Sequence, residues 1–322
     1  MIVTLTPNPS VDRTILVDGL PAGSVIRSRR SWTEPSGKGV NVALALHAHG
    51  VPVRAVLPVG GSTGAQLLQM LQSAGLATVH VPLRTGEIRS NISLAQPDGT
   101  VTKVNEAGPT LEAAETAALA AAALADLDGV SWLVCGGSLP AGVPTGFYAD
   151  LVGEGHRRGV RVAVDSSGAP LAASLAAGPD LVKPNSHELA ELTGRDLPTL
   201  GDVLDAADEL VRAGVGAVLA SLGADGLLYV DGSGALHAEA PVTRVVSAVG
   251  AGDATLAGFL AGPGPVRDRV GRAVSWGATA VQHEGTLFPA GAPRPPVVVH
   301  PAVDRDRLLD DARDALPVAG RG

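Results

Sequence analysis

The sequence predicts an α/β protein organised around a parallel β-sheet. Short apolar runs, typical of buried strands, alternate with longer helical patterns along most of the 322 residues. The 41 glycines and 24 prolines provide the many turns that this alternation requires. Apolar residues make up 45% of the chain and aromatic residues only 2%, so the core must pack mainly on Ala, Val and Leu. The length suits one large α/β domain, or a core with a small appendage.

Composition and charge argue against several classes of function. The net charge is −8 and no basic run stands out, which argues against nucleic acid as the main partner. The single cysteine, Cys135, excludes an intrachain disulfide and fits a reducing compartment. The N-terminus lacks the basic lead of a signal peptide, and no apolar run approaches the roughly 20 residues of a membrane span. We therefore expect a cytoplasmic protein that binds neither nucleic acid nor membranes.

The first part of the chain divides between the main sheet and a separate flap. Residues 2–6 predict a buried strand that a proline-rich turn brings to an end. Residues 14–17 and 25–32 alternate apolar and polar side chains, as strands with one solvent-facing side do. Residues 88–104 show the same alternation around a Pro97-Asp98-Gly99 turn, and we expect this hairpin to pair with the two earlier flap strands.

The rest of the chain alternates strands and helices in the manner of βαβ units. Helices are predicted up to residue 50 and over residues 63–74, 112–125, 147–157, 204–213, 254–260 and 266–283. Strands are predicted over residues 53–58, 130–134, 160–165, 181–182 and 217–222, followed by a hairpin around residues 231–234. Residues 304–316 are weakly helical, and residues 317–322 are expected to form a loose tail.

Polar or glycine residues recur just after the predicted strands or at a helix start. A parallel sheet collects the carboxyl ends of its strands along one edge, which is where open α/β sheets bind ligands. This recurrence predicts one composite ligand site. Its members in chain order are Asp12, Ser138, Asp165, Asn185, Gly223 and Asp253.

A glycine-rich turn stands immediately before one carboxylate and a helix. Gly250 and Gly252 lack a Cβ, so backbone N–H groups around Ala251 can approach a ligand closely. The start of a helix adds unpaired N–H groups and a positive dipole end, which suit the negative charge of phosphoryl transfer. Asp253 then has the chemistry to take a proton from a neighbouring hydroxyl. The alternative is that Asp253 only caps the helix, since Asp is a favoured N-cap residue.

A second glycine turn, Gly37-Lys38-Gly39, precedes another predicted helix, with Asn41 in its first turn. Lys38 can extend from this turn as a point charge, but the Walker spacing of a P-loop is absent. Asp12 follows the first strand, where it can accept hydrogen bonds from two sugar hydroxyls or serve only as a turn residue.

Taken together, these motifs resemble those of the PfkB, or ribokinase-like, family of sugar kinases. The resemblance runs from residue 2 to about residue 289, and it is closest to the branch of 1-phosphofructokinase and tagatose-6-phosphate kinase. The matching stretches occur in the family's order: Thr4-Leu5-Thr6-Pro7-Asn8-Pro9-Ser10-Val11-Asp12-Arg13-Thr14, Gly37-Lys38-Gly39-Val40-Asn41, Gly137-Ser138-Leu139-Pro140, Lys183-Pro184-Asn185-Ser186-His187-Glu188, Ser221-Leu222-Gly223-Ala224-Asp225-Gly226 and Val249-Gly250-Ala251-Gly252-Asp253.

The resemblance implies a fold and an activity. The fold is a three-layer α/β/α ribokinase-like core with a small β-sheet lid, forming a single kinase domain over residues 1–322. The lid comes from residues 12–32 and 88–104. The activity is transfer of the ATP γ-phosphoryl group to a sugar hydroxyl, with Mg²⁺ as cofactor. A phosphosugar and ATP are the small-molecule partners, and a homodimer that pairs the apolar faces of two lids is a further expectation.

The resemblance also implies roles for individual residues. Asp253 is the general base, and Gly250, Ala251 and Gly252 form the anion hole. The phosphosugar is held by Asp12, Gly37, Lys38, Asn41, Arg89 and Ser138. The nucleotide is bound by Lys183, Asn185, Ser221, Gly223, Asp225 and Gly226. Asn185 and Glu188 match the family's N-x-x-E motif and organise Mg²⁺ through water.

Several functions remain open at the level of the sequence. The leading hypothesis is a kinase that converts fructose 1-phosphate to fructose 1,6-bisphosphate. Tagatose-6-phosphate or 6-phosphofructokinase activity is the close alternative, and a kinase of an unphosphorylated sugar or nucleoside is the next. Arg89 and Arg27 favour a phosphorylated substrate, with Lys38 beside them, unless they belong to an ordinary solvated strand face.

A catalytically silent sugar-phosphate sensor is disfavoured because the base and the glycines are intact. A dinucleotide reductase is disfavoured because no G-x-G-x-x-G follows the first strand.

Overall fold

Fourteen strands and nine α-helices form in residues 1–98 and 100–310, the part of the chain that this computed structural model describes. The strands are β1 Ile2–Leu5, β2 Ser10–Leu16, β3 Arg30–Ser36, β4 Val53–Val59, β5 Ala77–Pro82, β6 Arg89–Ala95, β7 Val101–Val104, β8 Trp132–Gly136, β9 Arg161–Asp165, β10 Leu181–Val182, β11 Ala217–Ser221, β12 Leu227–Asp231, β13 Gly234–Glu239 and β14 Val298–Val299. The helices are α1 Lys38–Ala48, α2 Gly61–Ser73, α3 Ala113–Leu124, α4 Phe147–Arg157, α5 Gly168–Leu175, α6 Ser186–Thr193, α7 Leu200–Arg212, α8 Ala251–Leu260 and α9 Val266–Ala280.

The main sheet has ten strands in the order β14-β13-β12-β11-β10-β9-β8-β1-β4-β5. The strands from β11 to β5 in this order run parallel to one another, and β12 to β14 extend the sheet with antiparallel pairs. The central strand β1 is buried along its whole length between β8 and β4. A strand covered on both faces is expected to be a near-continuous apolar run, and three of its four residues, Ile2, Val3 and Leu5, are apolar.

Helices cover both faces of the main sheet, so the core has two apolar layers. One layer packs α1, α2, α8 and α9 against one face, and the other packs α3, α4, α5, α6 and α7 against the opposite face. Successive residues of one strand enter different layers, as Ile2 and Val3 do. The expected three-layer α/β/α fold is therefore confirmed.

The four-stranded second sheet, which we call the small sheet, has the order β3-β2-β6-β7. Its strands come from the two expected flap segments, and β2 pairs with β6 in parallel and with β3 in antiparallel register. A hydrogen bond and an ion pair connect the small sheet to the core. Glu34 Oε1 accepts a hydrogen bond from the Thr286 backbone N–H at 3.3 Å, and Arg30 Nη1 lies 2.9 Å from Glu284 Oε2.

The second flap strand was predicted at the wrong place. It spans Arg30–Ser36 rather than residues 25–32, because the antiparallel partner β2 begins at Ser10 and ends at Leu16. Val25 has no strand partner and is 88% exposed, although its apolar neighbours suggested a strand. Pairing partners, which are remote in sequence, decide where a strand in a small sheet begins and ends.

Four further strands and helices were not predicted, among them the two-residue strand β14, and one prediction cannot be judged in full. The edge strand β5 has a mixed pattern, α5 carries Gly168 and Pro170 in its first turn, and α6 begins inside the N-x-x-E motif. No element was predicted for residues 168–175, but proline is tolerated in a first helical turn, so Pro170 does not prevent α5 from forming. Residues 304–309 form turns and a bridge instead of the weak helix expected for 304–316; the remainder beyond residue 310 and the predicted loose tail lie outside the described residues.

Within residues 1–98 and 100–310, no helix is both long and apolar enough to cross a bilayer.

Candidate active site

The predicted site residues meet at the carboxyl edge of the parallel strands. Lys183 and Asn185 follow β10, Asp165 ends β9, and Ser138 lies just beyond β8. Two helices point their first turns toward the same edge: α1 contributes Lys38 and Asn41, and α8 contributes the glycine turn and Asp253. The topology thus joins residues more than 200 positions apart, which is the outcome expected for an open α/β sheet.

The start of α8 is shaped by a glycine in the left-handed region. Gly250 is the N-cap residue with φ 77°, and a Cβ there would lie 3.0 Å from Thr286 atoms, so a larger side chain is disfavoured in both respects. The backbone N–H groups of Gly252 and Asp253 have no acceptor within the described residues, whereas Ala251 N–H points at the Ala248 carbonyl at 3.4 Å. Helix starts with free N–H groups are anion sites in general.

Asp253 does not cap its helix. No side chain caps α8; the Asp253 carboxylate instead accepts a 2.7 Å hydrogen bond from Asn41 Nδ2 across the gap to α1. Burial, reinforced by the nearby charge of Asp165, raises the pKa of Asp253 to about 6, although Asn41, Lys183 and Lys38 act in the opposite direction. A carboxylate with a pKa in this range is well matched to exchange a proton near neutral pH.

Asp165 holds two lysines beside Asp253. Its Oδ1 accepts a hydrogen bond from Lys38 Nζ at 2.7 Å, and its Oδ2 lies 3.3 Å from Lys183 Nζ without hydrogen-bond geometry. Burial favours the neutral acid, but the charges of Lys183 and Lys38 outweigh it and lower the pKa of Asp165. A Cβ at Gly252 would lie 3.1 Å from Lys183 Nζ, so this ammonium group touches the glycine turn of α8.

Lys38 was expected to accompany Arg89 at the far end of a substrate, but in the structure its ammonium group is engaged by two carboxylates. Besides Asp165, Lys38 Nζ lies 3.7 Å from Glu188 Oε1, and it shares no described contact with Arg89. Burial opposes its charge, yet Asp165 and Glu188 raise the pKa of Lys38 above its ordinary value. Lys38 therefore belongs to the charged cluster around Asp253. Arg27 is exposed on the segment between β2 and β3, outside any strand.

A second polar group lies where β1 passes into the small sheet, with Asn8 at its centre. Arg89 Nη2 donates to the Asn8 carbonyl at 3.0 Å, and Asn8 Nδ2 donates to Ser138 Oγ at 3.2 Å. Asp12 Oδ1 accepts from Asn91 Nδ2 at 2.9 Å and from Ser10 Oγ at 2.6 Å. The predicted residues Arg89, Ser138 and Asp12 thus belong to one region.

Some buried polar atoms of these two groups have no hydrogen-bond partner in the described part of the chain: Asn8 Oδ1, Asn41 Oδ1 and Arg89 Nε. An unpaired buried polar atom is costly, and in native structures such atoms cluster where a ligand or water satisfies them. Two acceptors and one cationic donor suit a ligand that carries both hydroxyl groups and negative charge. Gly37, with φ 118°, caps α1 directly above this region.

Asn185 and Glu188 form a reciprocal capping box at the start of α6. The Glu188 N–H donates to Asn185 Oδ1 at 2.7 Å, and the Asn185 N–H donates to Glu188 Oε2 at 2.9 Å. Glu188 Oε1 remains beside Lys38. No group of three or more His, Cys, Asp or Glu side chains that could hold a metal occurs among the described residues.

Of the residues expected to bind the nucleotide, Ser221 ends β11 and Gly223, Asp225 and Gly226 lie in the loop that follows it; the carboxylate of one of them is engaged elsewhere in the protein. Ser221 bridges to Asn185, which brings the loop next to α6. Asp225, however, is buried at 1% exposure and accepts hydrogen bonds from Arg307 Nη2 at 3.0 Å and the Asp310 N–H at 2.6 Å. Its carboxylate anchors the C-terminal segment instead of facing a nucleotide, whose phosphates it would repel.

Sequence reasoning missed the roles of Asn8 and Asp165. Both were noted within a motif or at a strand end, but neither was assigned a contact. The signal available in the sequence was their position, since Asp165 is the last residue of the buried strand β9 and Asn8 lies three residues beyond the end of the buried strand β1.

Comparison with known proteins agrees with this geometry. Residues 6–292 match the family described as "pfkB family carbohydrate kinase". The 1-phosphofructokinase of Rhodobacter capsulatus is 40% identical over 264 residues, which are 80% of this chain and 82% of that protein. The structure of phosphofructokinase-2 from Escherichia coli in complex with fructose-6-phosphate superposes with a TM-score of 0.82 at 32% identity, over 87% of this chain and 93% of that one.

A more distant structure extends the likeness of the fold. Arabidopsis thaliana ribokinase complexed with ribose and ATP superposes with a TM-score of 0.71 at 20% identity, over 88% of this chain and 93% of that chain. At this identity the likeness concerns the ribokinase-like α/β fold alone. The family match over most of the sequence, together with a relative at 40% identity, is decisive: the chain belongs to the pfkB family of carbohydrate kinases.

Proposed function

We propose that this kinase transfers the γ-phosphoryl group of ATP to the 6-hydroxyl of fructose 1-phosphate, giving fructose 1,6-bisphosphate, with Asp253 as general base. The observation that carries the proposal is the buried Asn41–Asp253 pair, at 2.7 Å, beside the free N–H groups of α8 and the ammonium group of Lys183. It combines a proton acceptor and a site for developing negative charge at one point. Several 1-phosphofructokinases among the relatives support the choice of substrate.

The proton step depends on the raised pKa of Asp253. At neutral pH the carboxylate is ionised, and its basicity is greater than that of an ordinary Asp. Asn41 donates to one carboxylate oxygen and so orients the other toward the sugar hydroxyl. As the proton leaves, the hydroxyl oxygen can attack the γ-phosphorus in line with the departing ADP.

Charge that develops on the transferred group is stabilised by the start of α8 and by lysine. The N–H groups of Gly252 and Asp253 point out of the helix, and Lys183 Nζ lies against Gly252. We assign the turn of Gly250, Ala251 and Gly252 to this anion hole, although the Ala251 N–H is directed at the Ala248 carbonyl at 3.4 Å, so the free donors next to it are the N–H groups of Gly252 and Asp253. Because Asp165 compensates the lysines, the cluster keeps its charge when buried. Phosphoryl transfer needs mainly such positioning and charge stabilisation.

We assign binding of the phosphosugar to Asp12, Asn41, Ser138 and Arg89. Asp12 and Asn41 offer oxygens to sugar hydroxyls, and Arg89 offers unpaired donors to the phosphate. A wrong isomer leaves buried polar groups unpaired, at about 1–3 kcal/mol each, so discrimination between ketohexose phosphates can be large. Gly37 contributes backbone only.

We assign nucleotide binding to residues at or after the neighbouring strand ends: Lys183, Asn185, Ser221, Gly223 and Gly226. Mg²⁺ fits this region as a partner of the phosphates, since the described residues hold no group of three or more metal-binding side chains and the capping box leaves only Oε1 of Glu188 free to face a metal, 3.7 Å from Lys38 Nζ. Glu188 would hold a metal-bound water, as Mg²⁺ commonly keeps several. When bound, Mg²⁺ neutralises charge on the ATP phosphates.

A 6-phosphofructokinase activity is the second candidate, because phosphofructokinase-2 with fructose-6-phosphate is similar over most of both chains. Fructose 6-phosphate and tagatose 6-phosphate also carry a phosphate at one end and a free hydroxyl at the other. They would meet Asp253 with their ends exchanged.

The substrate is tested by ATP consumption with fructose 1-phosphate, fructose 6-phosphate, tagatose 6-phosphate, the free sugars and a nucleoside panel. We expect the highest kcat/KM for fructose 1-phosphate. A free sugar or nucleoside that outperforms every phosphosugar would overturn the proposal, and either hexose 6-phosphate in first place would correct its last step.

Replacing Arg89 by Ala should raise KM for the phosphosugar more than KM for ATP. The change removes a half-buried guanidinium whose Nε has no protein partner, so phosphate binding loses a charge-assisted contact. We expect the preference for phosphorylated over free sugar to narrow by about tenfold. Steady-state kinetics with both substrates measure this split.

The matched control is Arg13→Ala, since Arg13 is an exposed residue of the same small sheet, next to Asp12. It should leave both KM values near those of the unaltered protein. Equal effects of the two substitutions would remove Arg89 from the phosphate site.

We further propose that the small sheet acts as a lid, closing over bound sugar to exclude water that would hydrolyse ATP. Glu34 accepts a hydrogen bond from the Thr286 N–H, and Arg30 forms an ion pair with Glu284. These contacts connect the small sheet to the segment beside Gly250. Fructose 1-phosphate should slow hydrogen exchange in residues 14–32 and 88–104 together. Unchanged exchange in either segment would remove that segment from the lid.

The small sheet is also proposed to pair with that of a second copy. Val101 and Val104 on β7 are 47% and 54% exposed, and such apolar residues are buried when two sheets meet. Sedimentation at micromolar concentration should give a dimer that Val104→Lys weakens. A strict monomer would refute the pairing.

A further inference from the structure

A cavity of about 550 Å³ lies at the amino edge of the parallel strands. Its walls come from the starts of β1, β4, β8 and β9 and from the turn between α8 and α9. Asp253 and the lysines lie at the opposite, carboxyl edge, so the proposed kinase reaction makes no use of this cavity. The volume is in the range of pockets that hold small molecules.

Two arginines line the cavity, each held against an aromatic ring. The guanidinium carbon of Arg161 lies 4.4 Å from the ring centroid of Trp132, and that of Arg269 lies 3.9 Å from the ring centroid of Phe259. Arg269 Nε also donates to the Phe259 carbonyl at 3.2 Å. Stacking restricts both side chains, so less rotamer freedom is lost when their remaining N–H groups bind a ligand.

The charge of the two arginines is uncompensated in the described part of the chain. No acidic side chain lines the cavity, and the ion pairs formed by other arginines include neither Arg161 nor Arg269. Burial lowers the pKa of Arg269, and the positive charges of Arg161 and Arg272 lower it further, so the guanidiniums of Arg161 and Arg269 repel each other. An anion placed between the two guanidiniums would remove that repulsion.

We propose that this cavity binds a small phosphate monoester, with the dianionic phosphate held between Arg161 and Arg269. Planar guanidinium forks match phosphate oxygens in pairs, and two of them balance a double negative charge. The rest of the ligand lies against the apolar wall of Pro52, Leu260 and Pro263. Leu260 is the last residue of α8, so this site and Asp253 lie at the two ends of one helix.

The experiment is a titration with glycerol 2-phosphate, a phosphate monoester, followed by the indole N–H resonances of the tryptophans. The chain has three of them, and only Trp132 lines the cavity, so Trp32 and Trp276 serve as internal references. We expect a saturable shift of the Trp132 resonance alone, and none with neutral glycerol. The absence of a saturable Trp132 shift would overturn the proposal.

Substitution of the arginines identifies the site that is responsible. Arg161→Gln and Arg269→Gln should each raise the dissociation constant for glycerol 2-phosphate at least about tenfold. Arg267→Gln is the matched control, since Arg267 is an exposed residue of α9 that donates to the Val299 carbonyl outside the cavity. Unchanged Trp32 and Trp276 resonances verify that each variant is folded. A Trp132 shift that persists with unchanged affinity in both arginine variants would assign binding to another site and overturn the proposal.

Discussion

Asp253→Asn should lower turnover by about two to four orders of magnitude, the range typical for loss of a general base. The amide matches the carboxylate in size and can still accept the 2.7 Å hydrogen bond from Asn41 Nδ2, so the start of α8 should persist. It cannot accept the proton of the sugar hydroxyl. A coupled ADP-release assay measures turnover, and calorimetry should give a dissociation constant for ATP close to that of the unaltered protein.

The pH dependence of kcat/KM is an independent test of the role of Asp253 as the base. Because the base must be ionised and its pKa is raised to about 6, kcat/KM should fall as pH decreases through about 6. An ordinary Asp, with a pKa near 3.9, would keep the rate constant down to about pH 5. The residual activity of Asp253→Asn should lack this acid limb.

The control for Asp253 is Asp268→Asn, which changes an exposed carboxylate in the first turn of α9. Its turnover should stay near that of the unaltered protein. If Asp253→Asn also retained near-normal turnover, Asp253 would be a structural residue and the proposed mechanism would be wrong.

Asp165→Asn should lower the free energy of unfolding by about 3–5 kcal/mol, the loss expected when one partner of a buried ion pair is removed. The Asp165 side chain is completely buried, and Lys183 is 5% exposed. The amide can accept one hydrogen bond from Lys38, but it removes the ion-pair partner of Lys183 and leaves Lys38 only the more distant carboxylate of Glu188. Urea denaturation measures the change.

The pH dependence of kcat/KM distinguishes this electrostatic role of Asp165 from a role in packing alone. The charge of Asp165 raises the pKa of Asp253, so its removal should move the acid limb of the kcat/KM profile to lower pH. A role in packing alone would leave the limb at about pH 6.

Asp208→Asn provides the contrast, since it breaks an exposed pair with Arg212 on α7. Exposed pairs contribute about 0–1 kcal/mol, so the unfolding free energy should change little. A loss in Asp165→Asn no greater than in Asp208→Asn would contradict the assignment of Asp165 as the centre of the lysine cluster.

Local sequence patterns were sufficient to predict the fold class and to predict that the site residues gather at one edge of the sheet. The parallel strands are near-continuous apolar runs because both of their faces are buried, and this pattern is visible without knowledge of the partners. The position of Asp253 after a glycine turn was likewise readable, since the φ of 77° at Gly250 is a local requirement. The flap strand at Arg30–Ser36 was not, because its ends depend on β2.

The sequence by itself determined the α/β class, the order of the layers and the set of polar residues at the strand ends. Only the tertiary structure decided which of these residues face one another. Lys38 joined Asp165 rather than Arg89, and Asp225 paired with Arg307, 82 positions away. The physical reason is that a buried charge is tolerated only beside an opposite charge or hydrogen-bond partners. Those partners come from separate elements, so no local pattern records them.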